Sequence, residues 1–438
     1  MFISVIGTGY LGATHAACLA ACGHDVIGID SDAEKVTRLA TGSAPFHEPG
    51  LDGLLRSGVD SGALSFATGS ERAADADVHF LCVGTPQRAG SHAADLSALD
   101  AAADALAPLL DRPCLVVGKS TVPVGTAREL GSRIRSRAPA GDQVEIAWNP
   151  EFLREGHAVE DSLCPDRLVL GVDTDESDQV LRDVYARMIN SGVPVVRTDL
   201  ETAELAKVSA NVMLAARISL VNLLAEVCEA ADADVGDLTT ILGLDDRIGS
   251  KFLDPGIGFG GGCLPKDIRA FIARAEELGI GGPATLLREV DAINMRQRAR
   301  TIDKAVDMLG GNAAGRRVAV LGAAFKAGSD DVRDSPALDV AATLDARGAE
   351  VHVFDPRAGA NVRRMHPRLH TADTVEDACG GADIVLMLTD WDQFRGIDPV
   401  ALAAVVRHPR VIDGRLVLDP DKWRGAGWQL HALGRGTR

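Results

Sequence analysis

The stretch MFISVIGTGYLG, residues 1–12, joins a short apolar strand pattern to a GxGxxG motif and decides the fold of the first part of the chain. A helical pattern follows from Ala13 to Cys22, and a second strand pattern, Asp25 to Ile29, leads into Asp30. This order of strand, glycine turn, helix, strand and acid is typical of a dinucleotide-binding unit, in which the helix N-terminus faces the phosphates. It predicts a Rossmann-like domain that binds a dinucleotide.

The acidic residue that ends the second strand indicates which dinucleotide is bound. Asp30 is placed to accept hydrogen bonds from the adenosine ribose hydroxyls, and its carboxylate would repel a 2′-phosphate. NAD is therefore expected rather than NADP. Lys35 fits two interpretations equally well: a contact to the adenosine end of the cofactor, and a solvated helix charge.

Strand and helix patterns alternate as far as residue 198, which predicts a doubly wound α/β sheet. The further strand candidates are Val78 to Val83, Leu115 to Gly118, Val144 to Ala147 and Leu168 to Val172. Three segments at their ends carry Gly-Thr-Pro (84–86), Ser-Thr-Val-Pro (120–123) and Asn-Pro-Glu (149–151). Ligands of such sheets lie at the carboxyl ends of the strands, so we expect site residues in these segments.

The middle of the chain changes character. From Leu200 to about Val235 it is rich in Ala, Leu and Val and has no Pro or Gly, which predicts a long helix that forms a spine between domains and a dimer surface. More helix is expected from Asp267 to about Leu309, and residues 310–315 are glycine-rich like a linker.

An α/β pattern then restarts, with strands or helices predicted at Arg317 to Leu321, Pro336 to Ala346, Glu350 to Phe354 and Ile384 to Leu388. The prediction is thus two Rossmann-like doubly wound domains joined by a long central helix. The domain bounds are residues 1–199, 200–312 and 313–438. Residues 322–326 (GAAFK) replace the glycine fingerprint, so the second unit is not expected to bind a dinucleotide in the same way, although Lys326 and Arg333 suit phosphate contacts.

Composition excludes several classes of function. The formal net charge of −17 argues against a nucleic-acid partner. The absence of a long uninterrupted apolar run and of a basic leader predicts neither a membrane span nor a signal peptide. The eight cysteines show no metal-type pairing, so a reducing cytoplasm is expected, without disulfides and without a metal site.

The stretch FGGGCLPKD, residues 259–267, is the strongest chemical signal. It puts Cys263 after a glycine run and just before a helix start at Pro265, close to Lys266. A helix N-terminus and a neighbouring ammonium both favour the thiolate. Cys263 is therefore a candidate nucleophile, and the alternative is a buried structural cysteine.

Three pairs with a spacing of four residues accompany this motif. Glu151 and Glu155 would share one face if their segment is helical. Lys207 and Asn211 interrupt the apolar stripe of the long helix, where an ammonium and an amide are unfavourable without partners. They are interpreted as groups aimed at substrate and at a developing oxyanion, or else as a snorkelling lysine and a capping amide. Cys263 and Asp267 form the third pair.

Seven motifs in a fixed order carry a resemblance that spans nearly the whole chain, and on them the sequence resembles the UDP-glucose/GDP-mannose dehydrogenase family. They are GTGYLG (7–12), CVGTP (82–86), KSTVPVGT (119–126), NPEFLREG (149–156), DRIG (246–249), GGCLPKD (261–267) and DDVRDSP (330–336). The departures from the family pattern are Gly262 where a Ser is frequent, Leu223 where a Glu is frequent, and Ala327 where a Pro is common.

The resemblance implies a four-electron oxidation, in which the C6 alcohol of a nucleotide sugar becomes a carboxylate while two NAD are reduced in turn. Cys263 would attack the intermediate aldehyde to form a thiohemiacetal, and a thioester would then be hydrolysed. By the same resemblance Lys207 stabilises oxyanion charge, Asn211 is a second donor, Asp267 with Thr121 activates water, and Glu151 is the acid/base of thioester hydrolysis.

The resemblance also implies two sets of contacts. The cofactor-contacting positions are Gly7, Gly9, Tyr10, Leu11, Gly12, Asp30, Lys35, Thr85, Thr121, Glu155, Lys266 and Arg333. The substrate-contacting positions are Glu151, Phe152, Leu153, Arg154, Glu155, Lys207, Asn211, Phe252, Leu253, Asp254, Pro255, Gly256, Gly260, Lys326 and Arg415, together with Arg247 from a neighbouring subunit. The partners expected are therefore a UDP-sugar and a second copy of the chain, in a homodimer or a larger homo-oligomer.

Other functions stay open at this stage. The preferred substrate is UDP-glucose, with GDP-mannose or another UDP-hexose as the alternative. A two-electron hydroxyacid dehydrogenase would share the dinucleotide unit and the Lys207–Asn211 pair but would not need Cys263. A nucleotide-sugar binder without activity would need no nucleophile at all.

Overall fold

The computed structural model describes residues 1–436 and divides the chain into two compact units. Unit 1 is Met1–Ala210 with Arg269–Gly279, and unit 2 is Asn211–Ile268 with Ile280–Arg438. The last two residues of the predicted third domain, 437 and 438, lie outside the described part. The predicted division into three domains is not tested by this separation into units and stays a prediction.

Unit 1 contains an eight-stranded sheet in the order β3-β2-β1-β4-β5-β6-β7-β8. Its strands are β1 Phe2–Ile6, β2 Asp25–Ile29, β3 Leu64–Ala67, β4 Val78–Leu81, β5 Cys114–Gly118, β6 Val144–Trp148, β7 Leu168–Val172 and β8 Val195–Thr198. Its first eight helices are α1 Tyr10–Ala21, α2 Ala33–Ala40, α3 Leu51–Ser61, α4 Ser97–Leu106, α5 Thr126–Arg135, α6 Ala158–Leu163, α7 Asp175–Val184 and α8 Ala186–Asn190. All neighbouring strands are parallel except β6 and β7.

Helices cover both faces of this sheet because its strands are apolar on both sides. Ile3 and Val5 of β1 belong to one core cluster, whereas Ile6 belongs to another, and β2 and β4 alternate in the same way. The first six strands have the order 3-2-1-4-5-6, which confirms the predicted dinucleotide-binding fold.

Unit 2 repeats the same strand order in a six-stranded parallel sheet, β11-β10-β9-β12-β13-β14. Its strands are β9 Arg317–Leu321, β10 Glu350–Phe354, β11 His370–Thr371, β12 Ile384–Met387, β13 Arg410–Asp413 and β14 Gln429–Ala432. The helices around it are α13 Pro336–Ala346, α14 Gly359–Met365, α15 Val375–Cys379, α16 Asp392–Arg395, α17 Pro399–Ala403 and α18 Pro420–Gly425. The predicted second Rossmann-like domain is confirmed.

Four helices connect the two sheets along the chain: α9 Leu200–Ala231, α10 Val235–Gly243, α11 Leu264–Glu277 and α12 Gly281–Met308. Two expectations about them need correction. The long helix ends at Ala231, because Asp232 has a φ of 57° and Asp234 caps α10 with its side chain. The helical stretch after Asp267 is two helices, separated at Gly279, whose φ is 75°.

By length and composition α9 is apolar enough to cross a membrane, with a mean hydropathy of 1.6 over its most apolar window. That window is 39% buried inside the protein, and the first turns of the helix carry buried Glu204 and Lys207 with partners in unit 1. Internal helices of globular proteins pass the same test, and partnered charges favour that interpretation here.

Candidate functional site

The glycine turn of unit 1 is packed as a phosphate-binding turn requires. A Cβ on Gly12 would lie 1.8 Å from the carbonyl oxygen of Gly7, so only glycine lets α1 approach β1 this closely. At Gly9, the N-cap of α1, a Cβ would meet nothing within 4 Å, which leaves the end of the helix open. The space and the helix N-terminus both fit a dinucleotide pyrophosphate.

Asp30 is tied to this turn. Its Oδ2 accepts hydrogen bonds from the backbone N–H of Thr8 at 2.9 Å and from the ammonium of Lys35 at 2.9 Å. Burial raises the pKa of Asp30, but Lys35 and the neighbouring N–H groups outweigh it and hold the pKa below its usual value. Lys35 is therefore a partner of the ribose-site acid rather than a purely solvated charge.

Tyr10 links the glycine turn to the segment after β6. Its hydroxyl donates to Glu48 and accepts from the N–H of Gly156 at 2.9 Å, and Glu48 also accepts from the N–H of Ala158 at 2.7 Å. Burial and the Glu48 carboxylate raise the pKa of Tyr10 above its usual range. Glu48 was not predicted from the sequence, where it is a lone acid in a loop of mostly small and apolar residues.

The segment 151–157 is not helical, so the idea that Glu151 and Glu155 share a helix face is wrong. Pro150 and Gly156 favour an irregular segment, and the Glu151 carboxylate turns back to accept the N–H of Leu153 at 2.6 Å. Arg154 instead forms an ion pair with Asp161 at 2.6 Å and is largely exposed, and the ring of Phe152 lies under the Arg167 guanidinium.

Within unit 1 the structure brings Glu151 and Lys207 together, 2.9 Å apart, with the Lys207 side chain 6% and the Glu151 side chain 13% exposed. Burial raises the pKa of Glu151, but the charge and hydrogen bond of Lys207 outweigh it, so the carboxyl stays ionised. Lys207 therefore does not snorkel to solvent. The predicted ammonium in the apolar stripe of α9 is a buried cation beside a carboxylate.

A second buried lysine stands behind this pair. Lys119 donates to the Asn149 side chain at 2.7 Å and lies over the rings of Phe80 and Tyr185. Burial lowers the pKa of Lys119 to about 8, and its charge helps to keep Glu151 ionised. In the sequence Lys119 stands out only as part of a motif, and its position directly after a buried strand is the signal for a special role.

The segment with Thr121 is also anchored. Thr85, which follows β4, donates its hydroxyl to the carbonyl oxygen of Thr121 at 2.7 Å. The two predicted site residues at neighbouring strand ends therefore lie in contact, as expected for the carboxyl edge of a parallel sheet.

In unit 2, Cys263 caps α11 and is exposed, and its carbonyl oxygen accepts the first helical hydrogen bond from Asp267. The helix begins at Leu264, one residue before the expected Pro265. Asp267 is buried and receives a hydrogen bond from Asn211 at 2.6 Å and one from the Lys266 ammonium at 2.5 Å. The thiol thus stands at a helix N-terminus beside a partnered carboxylate.

The glycine run before Cys263 is required by close packing. A Cβ on Gly260 would lie 2.2 Å from the Asp334 carbonyl oxygen, one on Gly261 2.9 Å from the Phe325 ring, and one on Gly262 2.4 Å from the Arg333 guanidinium. The cysteine loop therefore lies directly against the segment that carries Lys326 and Arg333. The Gly262 departure from the family pattern makes room for Arg333.

Two residues of α12 hold this loop and were missed from the sequence. Asn294 accepts from the N–H of Phe259 at 2.7 Å and donates to its carbonyl oxygen at 3.0 Å, as a neighbouring strand would. Arg298, also buried, donates to the same carbonyl and to Asp334. Their spacing of four residues in an amphipathic pattern was the available signal.

The predicted substrate segment 252–256 meets Arg415. A Cβ on Gly256 would lie 2.9 Å from the Arg415 Nη1, and the Gly256 N–H donates to the buried Asn222 side chain at 2.8 Å. Phe252 is partly exposed and has a positive φ of 61°, whereas Leu253 is buried. Asp254 is exposed and Pro255 is buried.

Two further expectations concern Arg247 and the turn that follows β9. Arg247 is 88% exposed and pairs with Asp245, so its guanidinium is turned to solvent. In the second α/β unit, Asp355 accepts the N–H groups of Ala323 and Ala324 at 2.7 and 2.9 Å. These are the amides of the turn that replaces the glycine fingerprint, which supports the expectation that it binds no dinucleotide in the same way.

Comparisons with known proteins match three segments of the chain to one family. Three profiles of the UDP-glucose/GDP-mannose dehydrogenase family match: the NAD binding domain at residues 1–189, the central domain at 201–296 and the UDP binding domain at 319–420. The chain is 40% identical to the UDP-glucose 6-dehydrogenase of Rhizobium meliloti, covering 99% of this chain and 100% of that one. It is 42% identical to that of Haloferax volcanii, covering 95% and 97%.

Solved structures give the same result. The UDP-glucose dehydrogenase of Pyrobaculum islandicum is similar with a TM-score of 0.90 and 36% identity, covering 98% of this chain and 96% of that one. The UDP-D-ManNAc dehydrogenase of Pyrococcus horikoshii is similar with a TM-score of 0.88 and 27% identity, covering 99% of both chains.

Substitution of Gly12 is expected to lower stability, whereas substitution of Gly9 is expected to weaken NAD binding. Gly12→Ala forces α1 away from Gly7 and should lower the free energy of unfolding by about 1–3 kcal/mol. Gly9→Ala meets open space and should keep the melting temperature while it weakens NAD binding, because its methyl group lies where the pyrophosphate approaches. Thermal melts and NAD titration check both; equal destabilisation by the two variants would contradict this packing.

Replacement of Lys119 should change how stability depends on pH. Its folded-state pKa, about 8, is below the usual 10.5, so between these values the folded state binds fewer protons than the unfolded chain. The wild type should therefore gain stability relative to Lys119→Met as pH rises through that window, by up to about 1.4 kcal/mol per pH unit. Melting temperatures at pH 7.5 and 9.5 test this, with Lys422→Met, at an exposed position, as the control. A pH-independent difference would contradict it.

Proposed function

The chain belongs to the UDP-glucose/GDP-mannose dehydrogenase family, and we propose that it oxidises the C6 alcohol of UDP-glucose to the carboxylate of UDP-glucuronate with NAD as hydride acceptor. The observation that carries the proposal is Cys263, exposed at the N-terminus of α11 and followed one turn later by the partnered carboxylate Asp267. A simple alcohol dehydrogenase has no use for a nucleophile, whereas in an alcohol-to-acid enzyme a nucleophile captures the aldehyde and holds it for the second oxidation.

NAD, when bound, accepts one hydride in each of the two oxidation steps. The glycine turn, the α1 N-terminus and Asp30 with Lys35 fit its pyrophosphate and ribose. By family resemblance Tyr10, Leu11, Thr85, Thr121, Glu155, Lys266 and Arg333 complete the cofactor contacts.

In the first oxidation the C6 hydroxyl loses a proton and its carbon loses a hydride, which gives the aldehyde. We assign Lys207 to stabilise the developing alkoxide, because it is a buried cation held in place by Glu151. Asn211, one helical turn on, is the second donor, and its amide is oriented by Asp267. Because Glu151 is held ionised, it is ready to accept a proton rather than to give one.

In the second oxidation the Cys263 thiolate adds to the aldehyde carbon and forms a thiohemiacetal. Loss of a second hydride and of the hydroxyl proton gives a thioester. Water then adds to the thioester carbonyl and the thiolate leaves, which releases the carboxylate. Asp267 and Thr121 are assigned to orient that water, and Glu151 is assigned to proton transfer during the hydrolysis.

The substrate-contact assignments also rest on the family resemblance. Support comes from unit 2, where Gly256 packs against Arg415 and the glycine run packs against the segment of Lys326. We assign the same role to Phe152, Leu153, Arg154, Glu155, Phe252, Leu253, Asp254, Pro255 and Gly260.

We also propose a homodimer. Met213, Leu220 and Val227 of α9 are 65%, 57% and 56% exposed, and their spacing of seven residues puts them on one side of the helix. Such an apolar stripe on the surface is typical of a protein interface. The exposed Arg247 would then reach the substrate of the neighbouring subunit.

The predicted domain bounds, 1–199, 200–312 and 313–438, are part of the same proposal, as is a cytoplasmic location. The eight cysteines all lie in the described part of the chain and form no disulfide there, which is usual in a reducing compartment.

The test of the function is the ratio of NADH formed to UDP-glucose consumed. Two NADH are expected, and Cys263→Ser should bring the ratio towards one or stall at a slowly hydrolysed ester, because the serine hydroxyl is a far weaker nucleophile than a thiolate. Cys164→Ser, at another exposed cysteine, is the matched control and should keep two.

GDP-mannose and UDP-N-acetylmannosamine are run in parallel. One NADH from the wild type would contradict the four-electron reaction. Turnover of another nucleotide sugar in place of UDP-glucose would move the substrate assignment and leave the mechanism standing.

Carboxylates introduced into the apolar stripe of α9 test the dimer. Leu220→Asp with Val227→Asp should convert the protein to a monomer by light scattering and lower its activity, because carboxylates in an apolar interface lose their hydration without a partner. Val400→Asp, on α17 and equally exposed at 66%, should leave the mass unchanged. A wild type that is monomeric and fully active would refute the dimer.

A further inference from the structure

Glu204 is a buried carboxylate that the reaction outlined above does not use. It lies on α9, one turn before Lys207, and its side chain is 1% exposed. Its Oε2 accepts the N–H of Gly125 at 2.7 Å and its Oε1 accepts the N–H of Ala127 at 2.6 Å. Both amides belong to the N-terminus of α5, where the N-cap Gly125 has no side chain to supply a cap. Glu204 therefore caps a helix from a distant part of the chain.

The turn that it caps is held at further points. Arg274 of α11 donates from Nε to the carbonyl oxygen of Val124 at 3.1 Å. Thr85 holds the carbonyl of Thr121, as described above. Segment 121–127, which we call the Thr121 turn, is thus held by the side chains of Glu204, Arg274 and Thr85. Of these three, Glu204 binds backbone amides of the turn through a charge.

We propose that Glu204 is a positioning residue that anchors the Thr121 turn to α9 and so keeps Thr121 in register with Lys207. The proposal rests on the roles assigned above to Thr121 and Lys207. A carboxylate that accepts two N–H groups fixes both the orientation of the turn and its distance from α9. Each of its oxygens accepts one short, charge-assisted hydrogen bond.

Glu204 changes its charge near neutral pH. Burial raises its pKa from the ordinary 4.5 to about 7, against the opposing effect of the two N–H groups. The charged groups that face it are Glu201 on its own helix, which raises the pKa further, and Arg274 on α11, which lowers it. Glu201 is itself paired with Arg128 of α5.

Protonation would replace one acceptor oxygen by a hydroxyl and release one of the two amides. The anchored turn should therefore persist above about pH 7 and loosen below it. Stability runs in the opposite direction. Because the folded-state pKa is above the ordinary value, the folded state binds more protons between pH 4.5 and about 7, and folding loses stability as pH rises through that window.

Glu204→Gln tests the proposal, since it keeps the size of the side chain but cannot accept both amides and does not titrate. We expect kcat at pH 8 to fall roughly tenfold, the effect of one lost charge-assisted hydrogen bond, with a much smaller change in the KM for UDP-glucose. The part of the pH dependence of kcat near pH 7 that belongs to Glu204 should disappear. Glu201→Gln leaves both bonds from Glu204 to the turn in place and should keep kcat at pH 8, while loss of its charge should move the Glu204 step in the pH profile slightly downward.

Hydrogen exchange of the peptide 121–130, followed by mass spectrometry on the ligand-free protein, gives a readout that needs no turnover. Glu204→Gln should exchange faster there at pH 8, and Glu201→Gln should not. Unchanged exchange overturns the anchoring. Faster exchange with unchanged kcat and pH profile overturns the positioning role while the proposed function stands. A wild type that does not oxidise UDP-glucose or another nucleotide sugar instead refutes the proposed function, and the positioning role falls with it.

Discussion

Helix α9 buries a carboxylate, an ammonium and an amide, and each of these groups needs a polar partner from another part of the chain. Glu204, Lys207 and Asn211 follow one another at helical spacing, and each is less than 10% exposed. A buried polar group without a partner is destabilising by about 1–3 kcal/mol, and a charge by more. Each of the three finds its partner at a loop or a helix end: the α5 N-terminus, Glu151 and Asp267. Two of these partners, Glu151 and Asp267, are also groups to which the proposed chemistry is assigned.

The fold could be predicted well because its signals are local. The strand at Phe2–Ile6, the glycine turn and the acid Asp30 lie within thirty residues, and the second unit repeats the strand pattern. The errors also have local causes. Asp232 and Gly279 take positive φ and break helices that apolar periodicity alone would continue. Segment 151–157 looks helical by carboxylate spacing, but Pro150 and Gly156 prevent it and the Glu151 side chain bonds its own backbone.

The site was predictable only in part, because its supports are distant in sequence. Glu48, Asn294 and Arg298 carry no motif of their own, and each acts on a backbone far along the chain: Glu48 on Gly156, the other two on Phe259. Nothing in one sequence shows such pairings. The glycines at 260–262 illustrate the same limit, since their number signals a close approach but not that Asp334, Phe325 and Arg333 are what approaches.

The protein has a net charge of −17 and yet is suited to a substrate with two phosphates, so its positive charge must be concentrated locally. Burial limits how this can be done, because each buried cation either pairs or loses its proton. Lys207 forms an ion pair with Glu151. Lys119 has no such ion pair among the described residues, and burial lowers its pKa to about 8. The two lysines therefore differ in their partners although both are buried: Lys207 pairs with Glu151, and Lys119 donates to the Asn149 side chain. In the proposed reaction Lys207 stabilises the oxyanion directly, whereas Lys119 acts through Glu151, whose ionisation it supports. Loss of Lys119 should therefore first raise the pKa of Glu151, because the charge that helps to lower it is removed. A loss of substrate binding should be only a secondary effect.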